Sequence, residues 1–150
     1  MLINGTEYRS VWFEHGRLKM IDQNKLPYDF AIREYSNYLE VSAAIREMTV
    51  RGAPAIGAAG AFAMALAALS APDEKFRGYL RSAREELIST RPTAVDLSIG
   101  VNYVYESARK FIPDLAHARQ VSVLAANEFA NNSASECLEL GILGAEIIPD

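Results

Sequence analysis

The stretch from Thr49 to Gly57 (TVRGAPAIG) carries the residue types of an anion-binding site. A helix N-terminus offers unpaired backbone amides and a partial positive charge, and Pro54 favours the first helical turn. Gly52 and Ala53 leave those amides uncovered by side chains, and Arg51 adds a planar guanidinium suited to phosphate oxygens. The pattern favours a phosphate site. A tight turn that carries a solvated arginine is the alternative that it leaves open.

A second stretch, Ser89 to Asp96 (STRPTAVD), repeats this arrangement. Pro92 pushes Arg91 out of helical geometry, and Thr93 is placed to cap the helix that follows. Two arginines at two helix starts, Arg51 and Arg91, can grip one phosphate from two sides. The alternative is a helix connector in which Arg91 meets only solvent.

Other side chains are weaker candidates. His15 and His117 have no partner at metal-ligand spacing, so we predict that both are solvated. Acidic neighbours disfavour a reactive Cys137 thiolate, and we predict that this residue is buried or half-buried. Asp22 and Gln23, in a predicted loop, are placed to contact either a ligand or backbone amides. The sequence contains no nucleophile–base pair and no nucleotide-binding fingerprint, so it predicts phosphate binding without catalytic groups.

Two regions of different periodicity must position these residues. Residues 1–35 mix β-branched and aromatic residues around His15-Gly16, which predicts a hairpin of Tyr8–Glu14 and Arg17–Ile21, with a further short strand within 28–35. From Ser36 onward the apolar period becomes helical. The predicted fold class is α+β and mainly helical: a small β element over 1–35, followed by a bundle of about five helices over 36–144.

Caps and breaks set the predicted helix boundaries. The helices are expected at Asn37 to about Val50, Pro54 to about Leu69, Asp73 to Ser89, Thr93 to Phe111 and Asp114 to Leu140. Gly141 and Gly144 are expected to end the last of them. Residues 145–150 are interpreted as the start of a C-terminal domain that lies outside this chain. We therefore expect a fragment of a longer protein.

Composition excludes several classes of protein. Half of the residues are hydrophobic and the net charge is −4, which disfavours a disordered chain and, without a Lys/Arg cluster, a nucleic-acid-binding protein. One cysteine allows no intrachain disulfide, which fits a cytosolic protein. The uncharged segment Ala53–Ala71 is rich in alanine and glycine. Because these residues give little transfer free energy, we interpret it as a buried helix and expect no membrane span.

Several blocks resemble the methylthioribose-1-phosphate isomerases. The segment Val50–Gly57 (VRGAPAIG) is similar to the signature of that family, and Ala43–Met48 (AAIREM) is similar to the segment that leads into it. The other similar blocks are Asp22-Gln23 with Leu26-Pro27, Arg91–Val95 followed by Leu97, and Gly141 with Gly144–Ile148. The resemblance covers nearly the whole chain, and its blocks occur in the family's order.

The resemblance implies a function and a division of labour. The family converts the aldose methylthioribose 1-phosphate into the ketose methylthioribulose 1-phosphate in methionine salvage. It implies that Arg51, the backbone of Gly52 and Ala53, and Arg91 bind the phosphate. The catalytic cysteine and aspartate belong to a C-terminal Rossmann-like α/β domain, so this chain holds no catalytic residue, and Cys137 is not that cysteine. The family uses no metal or organic cofactor, forms homodimers and is cytoplasmic.

Two other functions share these features, and one further alternative concerns the length of the protein. A ribose-1,5-bisphosphate isomerase would use a similar phosphate site. A regulatory subunit of translation initiation factor 2B would be a binding module and not a catalyst. The N-terminal block from Trp12 to Pro27 favours the methylthioribose-1-phosphate isomerases over both. A free-standing helical protein of 150 residues is the last alternative.

Overall fold

The N-terminal strands form two small antiparallel sheets in the computed structural model, which describes residues 2–3 and 5–148. In that part of the chain β1 (Leu2–Ile3) pairs with β2 (Thr6–Glu7), and β3 (Val11–Glu14), β4 (Arg17–Ile21) and β5 (Ile32–Tyr35) form a sheet in that order. The hairpin is shorter than predicted, and the β1–β2 ribbon was not predicted. His15 and Gly16 both have positive φ, 50° and 75°, as the two-residue turn of a hairpin requires.

Five helices follow the strands in the described residues, which confirms the predicted fold class. They are α1 (Tyr38–Arg46), α2 (Ala53–Ser70), α3 (Phe76–Ser89, after a 3-10 turn at Asp73–Lys75), α4 (Val95–Arg109) and α5 (Leu115–Ala145). Asn37 caps α1 as predicted, because its side-chain oxygen accepts a hydrogen bond from the Leu39 amide at 2.8 Å. The helix ends at Arg46, four residues before the predicted Val50.

Helix α2 forms the centre of the core. Every residue from Ile56 to Ala68 is buried, and the helix packs against all four of the others. The sheet covers it through Phe13, whose ring stacks on Phe62 with centroids 5.5 Å apart, and through the fully buried Leu18 and Met20. By length and composition α2 could cross a membrane, but 72% of it is buried within the protein. It is therefore the buried helix that its alanines and glycines predict.

Helix α5 has two different halves. Its first half enters the core through Ala118, Ser122, Ala126 and neighbouring small residues. From Asn131 onward nearly all residues are exposed. The helix continues through Gly141 and Gly144 to Ala145, so its predicted end at Leu140 is wrong: a helical glycine costs only about 1 kcal/mol and need not end a helix. The interpretation of 145–150 as the start of another domain stays a prediction, and Pro149 and Asp150 lie outside the described residues.

A polar tie joins α1 to α3. The Glu86 carboxylate accepts hydrogen bonds from the Ser42 hydroxyl at 2.6 Å and from Arg46 at 3.1 Å. These bonds, that from Ser42 first, hold the pKa of Glu86 below its ordinary value. A carboxyl whose pKa is lowered by folding stabilises the fold above its unfolded-state pKa, and this stability is lost as the pH falls through the folded-state pKa.

We therefore expect Glu86→Gln to destabilise the protein at neutral pH but not in acid. The loss in the free energy of unfolding should stay below about 1 kcal/mol, since the pair is partly exposed to solvent. Denaturant unfolding of the variant and the wild type, at about pH 7 and at about pH 3, measures the difference in their free energies of unfolding at each pH. Glu85→Gln, on an exposed neighbour, is the control and should change neither. Equal losses at the two pH values would contradict the assignment.

Candidate anion-binding site

The connection between α1 and α2 presents the first predicted arginine. Arg51, Gly52, Ala53 and Pro54 are all exposed. Gly52 is the N-cap of α2 without a side-chain hydrogen bond, and its carbonyl accepts the first helical bond, from the Ile56 amide at 3.0 Å. The amides that precede Ile56 in α2 have no acceptor within the helix. This end of α2 therefore directs free N–H groups and a partial positive charge outward.

The backbone at Gly52 is one that other residues rarely adopt. Its φ of 88° and ψ of 131° lie in a region that is essentially confined to glycine, and a Cβ added there would meet no atom within 4 Å. The need for glycine is conformational and not steric. Residue 52 turns the chain so that Arg51 stays outside while α2 enters the core.

We expect Gly52→Ala to lower the free energy of unfolding by about 1–3 kcal/mol, the usual cost of a non-glycine residue in such a conformation. Chemical denaturation of the full-length protein measures it. Gly78→Ala is the matched control, because Gly78 lies within α3 and a Cβ there meets nothing, so it should be neutral or stabilising by up to about 1 kcal/mol. If both variants unfolded at the wild-type midpoint, the strain at residue 52 would be disproved.

The second predicted arginine precedes α4 in a tight turn. The Arg91 carbonyl accepts a hydrogen bond from the Ala94 amide at 2.9 Å. This turn makes Ala94 the N-cap, without a side-chain bond, so the predicted capping by Thr93 is wrong. Arg91 is half-buried. Asp96 lies in the first turn of α4, where a negative charge interacts favourably with the helix dipole.

The close packing of α2 on α4 brings these two helix starts together. An added Cβ at Gly57 would lie 2.9 Å from the Asp96 carbonyl oxygen, and one at Gly100 would lie 2.4 Å from the Gly57 carbonyl oxygen. Gly57 is four residues into α2, about 6 Å along its axis. Gly60 in turn meets Leu97 and Val101, so the contact advances in the same direction along both helices. Arg51 and Arg91 therefore precede helix starts on the same side of the crossing.

The guanidinium groups of both arginines are free to bind an anion. Among residues 2–3 and 5–148, neither makes a hydrogen bond or an ion pair. The Arg51 backbone, in contrast, is held: its amide donates to the Gln23 side-chain oxygen at 2.9 Å. The sequence left open whether Gln23 contacts a ligand or a backbone amide, and in the structure it contacts the Arg51 amide.

A groove of about 500 Å³ lies beside this site, and neither Arg51 nor Arg91 lines it. It is lined by the loop around Arg9, the first turns of α2 from Pro54, and α5 around Ser133 and Cys137. Arg9 crosses it to Asn131, with 2.6 Å between Nη1 and Oδ1. Cys137 is exposed, so its predicted burial is wrong, because α5 has run past the other helices at that point.

The two histidines lie apart from this site. His15 is exposed in the β3–β4 turn, and the ring of the exposed His117 lies 4.2 Å from that of Phe111. No three His, Cys, Asp or Glu side chains converge as a metal site within the described ranges. The groups that the site offers to a ligand are two cationic side chains and two helix N-termini.

Comparisons with known proteins agree with this architecture. Methylthioribose-1-phosphate isomerase from Thermosynechococcus vestitus is 35% identical over 148 residues, which are 97% of this chain and 41% of that protein. The chain spans about two fifths of the length of the curated relatives it matches, between 40% and 42% for the first of them.

Two solved structures have the same fold over this region. The crystal structure of 5-methylthioribose 1-phosphate isomerase from Pyrococcus horikoshii superposes with a TM-score of 0.87 at 36% identity, over 95% of this chain and 41% of that one. Translation initiation factor eIF-2B, subunit delta, from A. fulgidus gives 0.86 at 35%, over 96% and 43%. Residues 49–150, which begin just before Arg51, match the profile of the initiation factor 2 subunit family. The chain belongs to the initiation factor 2 subunit family.

Proposed function

We propose that this chain is the phosphate-binding part of a methylthioribose-1-phosphate isomerase. The observation that carries the proposal is the convergence of two helix starts, at Gly57 and Asp96, each preceded by an arginine with a free guanidinium. Arg51, the backbone amides at Gly52 and Ala53, and Arg91 would bind the sugar phosphate. The relatives named as methylthioribose-1-phosphate isomerases support this function over the other uses of such a site.

The proposed role of this part is binding and orientation. The phosphate of methylthioribose 1-phosphate blocks its anomeric carbon, so the enzyme must open the ring before hydrogen moves between the first two carbons. The groups for those steps would come from a C-terminal Rossmann-like domain. An anchored phosphate would hold the sugar against them, and fixed positioning of this kind lowers the entropic part of a reaction barrier.

We also propose a cytoplasmic homodimer that works without a metal or organic cofactor. The second half of α5 exposes Leu138, Leu140, Ile142 and Leu143, each more than half accessible. Contiguous apolar side chains of this kind usually lie at a contact with further protein. They support the proposal that the rest of a longer chain, or a second subunit, covers this half of the helix.

A second candidate function is that of a translation initiation factor 2B subunit. The likeness to the A. fulgidus subunit delta structure favours it, since the TM-scores of the two solved structures are nearly equal. Such a subunit would use the same helices for binding and would not turn over a sugar. A ribose-1,5-bisphosphate isomerase is the remaining alternative.

An isomerase assay on the full-length protein separates these functions. Methylthioribose 1-phosphate is the test substrate and ribose 1,5-bisphosphate is the comparison. Turnover of the first supports the proposal. Turnover of ribose 1,5-bisphosphate alone would support the phosphate site but identify the enzyme as a ribose-1,5-bisphosphate isomerase. No turnover of either would favour the non-catalytic subunit.

A further inference from the structure

The segment that carries Arg51 is irregular and needs support from elsewhere in the chain. Helix α1 ends in a Schellman motif: the Met48 amide donates to the Ile45 carbonyl at 3.2 Å and the Thr49 amide to the Ala44 carbonyl at 2.9 Å. Met48 takes the left-handed position with φ of 59°, where glycine is usual. A non-glycine residue persists there only where surrounding structure holds it.

Two consecutive residues of the β4–β5 loop supply that support. The Gln23 amide donates to the Thr49 carbonyl at 2.9 Å, and the Gln23 side-chain oxygen accepts from the Arg51 amide at 2.9 Å. The Asn24 side-chain amide donates to the Glu47 carbonyl at 3.1 Å. The loop therefore fastens the segment at three points between the end of α1 and the start of α2.

Asp22 holds this loop in place. It is 4% exposed, and its carboxylate accepts from Arg33 Nε at 3.0 Å and from the Asn24 amide at 3.3 Å. Its own amide donates to the Ala31 carbonyl at 2.8 Å. The support of the Arg51 segment thus extends to the sheet, and it does not depend on the helices alone.

We propose that Gln23 is a positioning residue for the anion-binding site. Its side-chain oxygen fixes the Arg51 amide, and with it the direction in which Arg51 and the first amides of α2 face the anion. A glutamine suits this task because its oxygen accepts the bond without a negative charge beside the arginine. This inference rests on the proposed function only in that it takes Arg51 as an anion ligand.

The test uses the full-length protein and two ligands. Gln23→Met keeps the length of the side chain and removes the acceptor. It should raise the KM for methylthioribose 1-phosphate, and the Kd for inorganic phosphate measured by calorimetry, by about twofold to tenfold, as expected for one lost hydrogen bond. The kcat should stay within about twofold, because a group that only fixes the binding geometry acts on the bound ground state and transition state alike.

Ser42→Ala is the matched control. It removes a hydrogen bond from α1 to Glu86, away from Arg51, and should lower thermal stability without changing either ligand constant. In an Arg51→Ala background, Gln23→Met should raise the phosphate Kd by a smaller factor than in the wild type, since only the first amides of α2 are then left for Gln23 to position and coupled residues are not additive. A full additional loss in that background, or an unchanged Kd in the single variant, would overturn the inference.

The two ligands separate this inference from the proposed function. Phosphate binding that Gln23→Met weakens, in a protein that does not turn over the sugar, would support the inference and reject the isomerase. If the protein turns over methylthioribose 1-phosphate but Gln23→Met leaves its phosphate Kd unchanged, the isomerase would be supported and the inference rejected. A protein that neither turns over the sugar nor binds phosphate would reject both.

Discussion

Arg51→Ala in the full-length protein should lower kcat/KM for methylthioribose 1-phosphate by about tenfold to a hundredfold, chiefly through KM. A charge-assisted hydrogen bond to phosphate contributes about 1.5–3 kcal/mol, and the anion is bound in both the ground state and the transition state, so the loss falls on binding. Thermal stability should not change, because the exposed Arg51 guanidinium has no partner among the described residues.

The matched control for this prediction is Arg81→Ala. Arg81 is an exposed arginine on α3, and its replacement makes the same change in net charge, which tests for general electrostatic attraction of the substrate. Arg91→Ala should act like Arg51→Ala if the two arginines hold one phosphate. A KM that Arg51→Ala leaves at the wild-type value would refute the site, whichever reaction the enzyme catalyses.

Gly100→Ala should lower the free energy of unfolding by about 1–3 kcal/mol or more, the usual cost of overpacking a core. The new methyl group would lie 2.4 Å from the Gly57 carbonyl oxygen and 3.0 Å from the Phe129 ring. The first of these is backbone and cannot rotate away, so α2 and α4 must separate. Because this crossing joins the two helix starts, the Kd for phosphate should rise as well.

Gly78→Ala isolates the steric effect from helix propensity. Gly78 lies within α3, and a Cβ there meets no atom within 4 Å. Alanine is the better helix former by about 0.5–1 kcal/mol, so this control should stabilise the protein slightly. Denaturant midpoints of the two variants measure the difference. If Gly100→Ala were as stable as Gly78→Ala, the close approach of the two helices would be disproved.

Local features of the structure could be read from the sequence. The Asn37 cap, the His15-Gly16 turn and the start of α2 at Ala53-Pro54 depend on one residue and its neighbours. The buried alanine helix could also be predicted, because a composition poor in large apolar residues suits close packing against protein better than contact with lipid. Phosphate binding at Arg51 and Arg91 stays a prediction.

Tertiary structure decided what brings these parts together. The acceptor for the Arg51 amide is 28 positions away in Gln23, and no local pattern distinguishes that bond from a ligand contact. The pairing of Gly57 with Gly100 depends on how two helices cross, which propensity does not encode. Cys137 is exposed because the second half of α5 extends beyond the helices that pack against its first half. The sequence by itself therefore determined the start of α2 to within one residue and that of α4 to within two, without its cap, since turns and glycines act over a few residues. Only the packed chain determined that these starts meet and are held, since that depends on contacts between residues far apart in sequence.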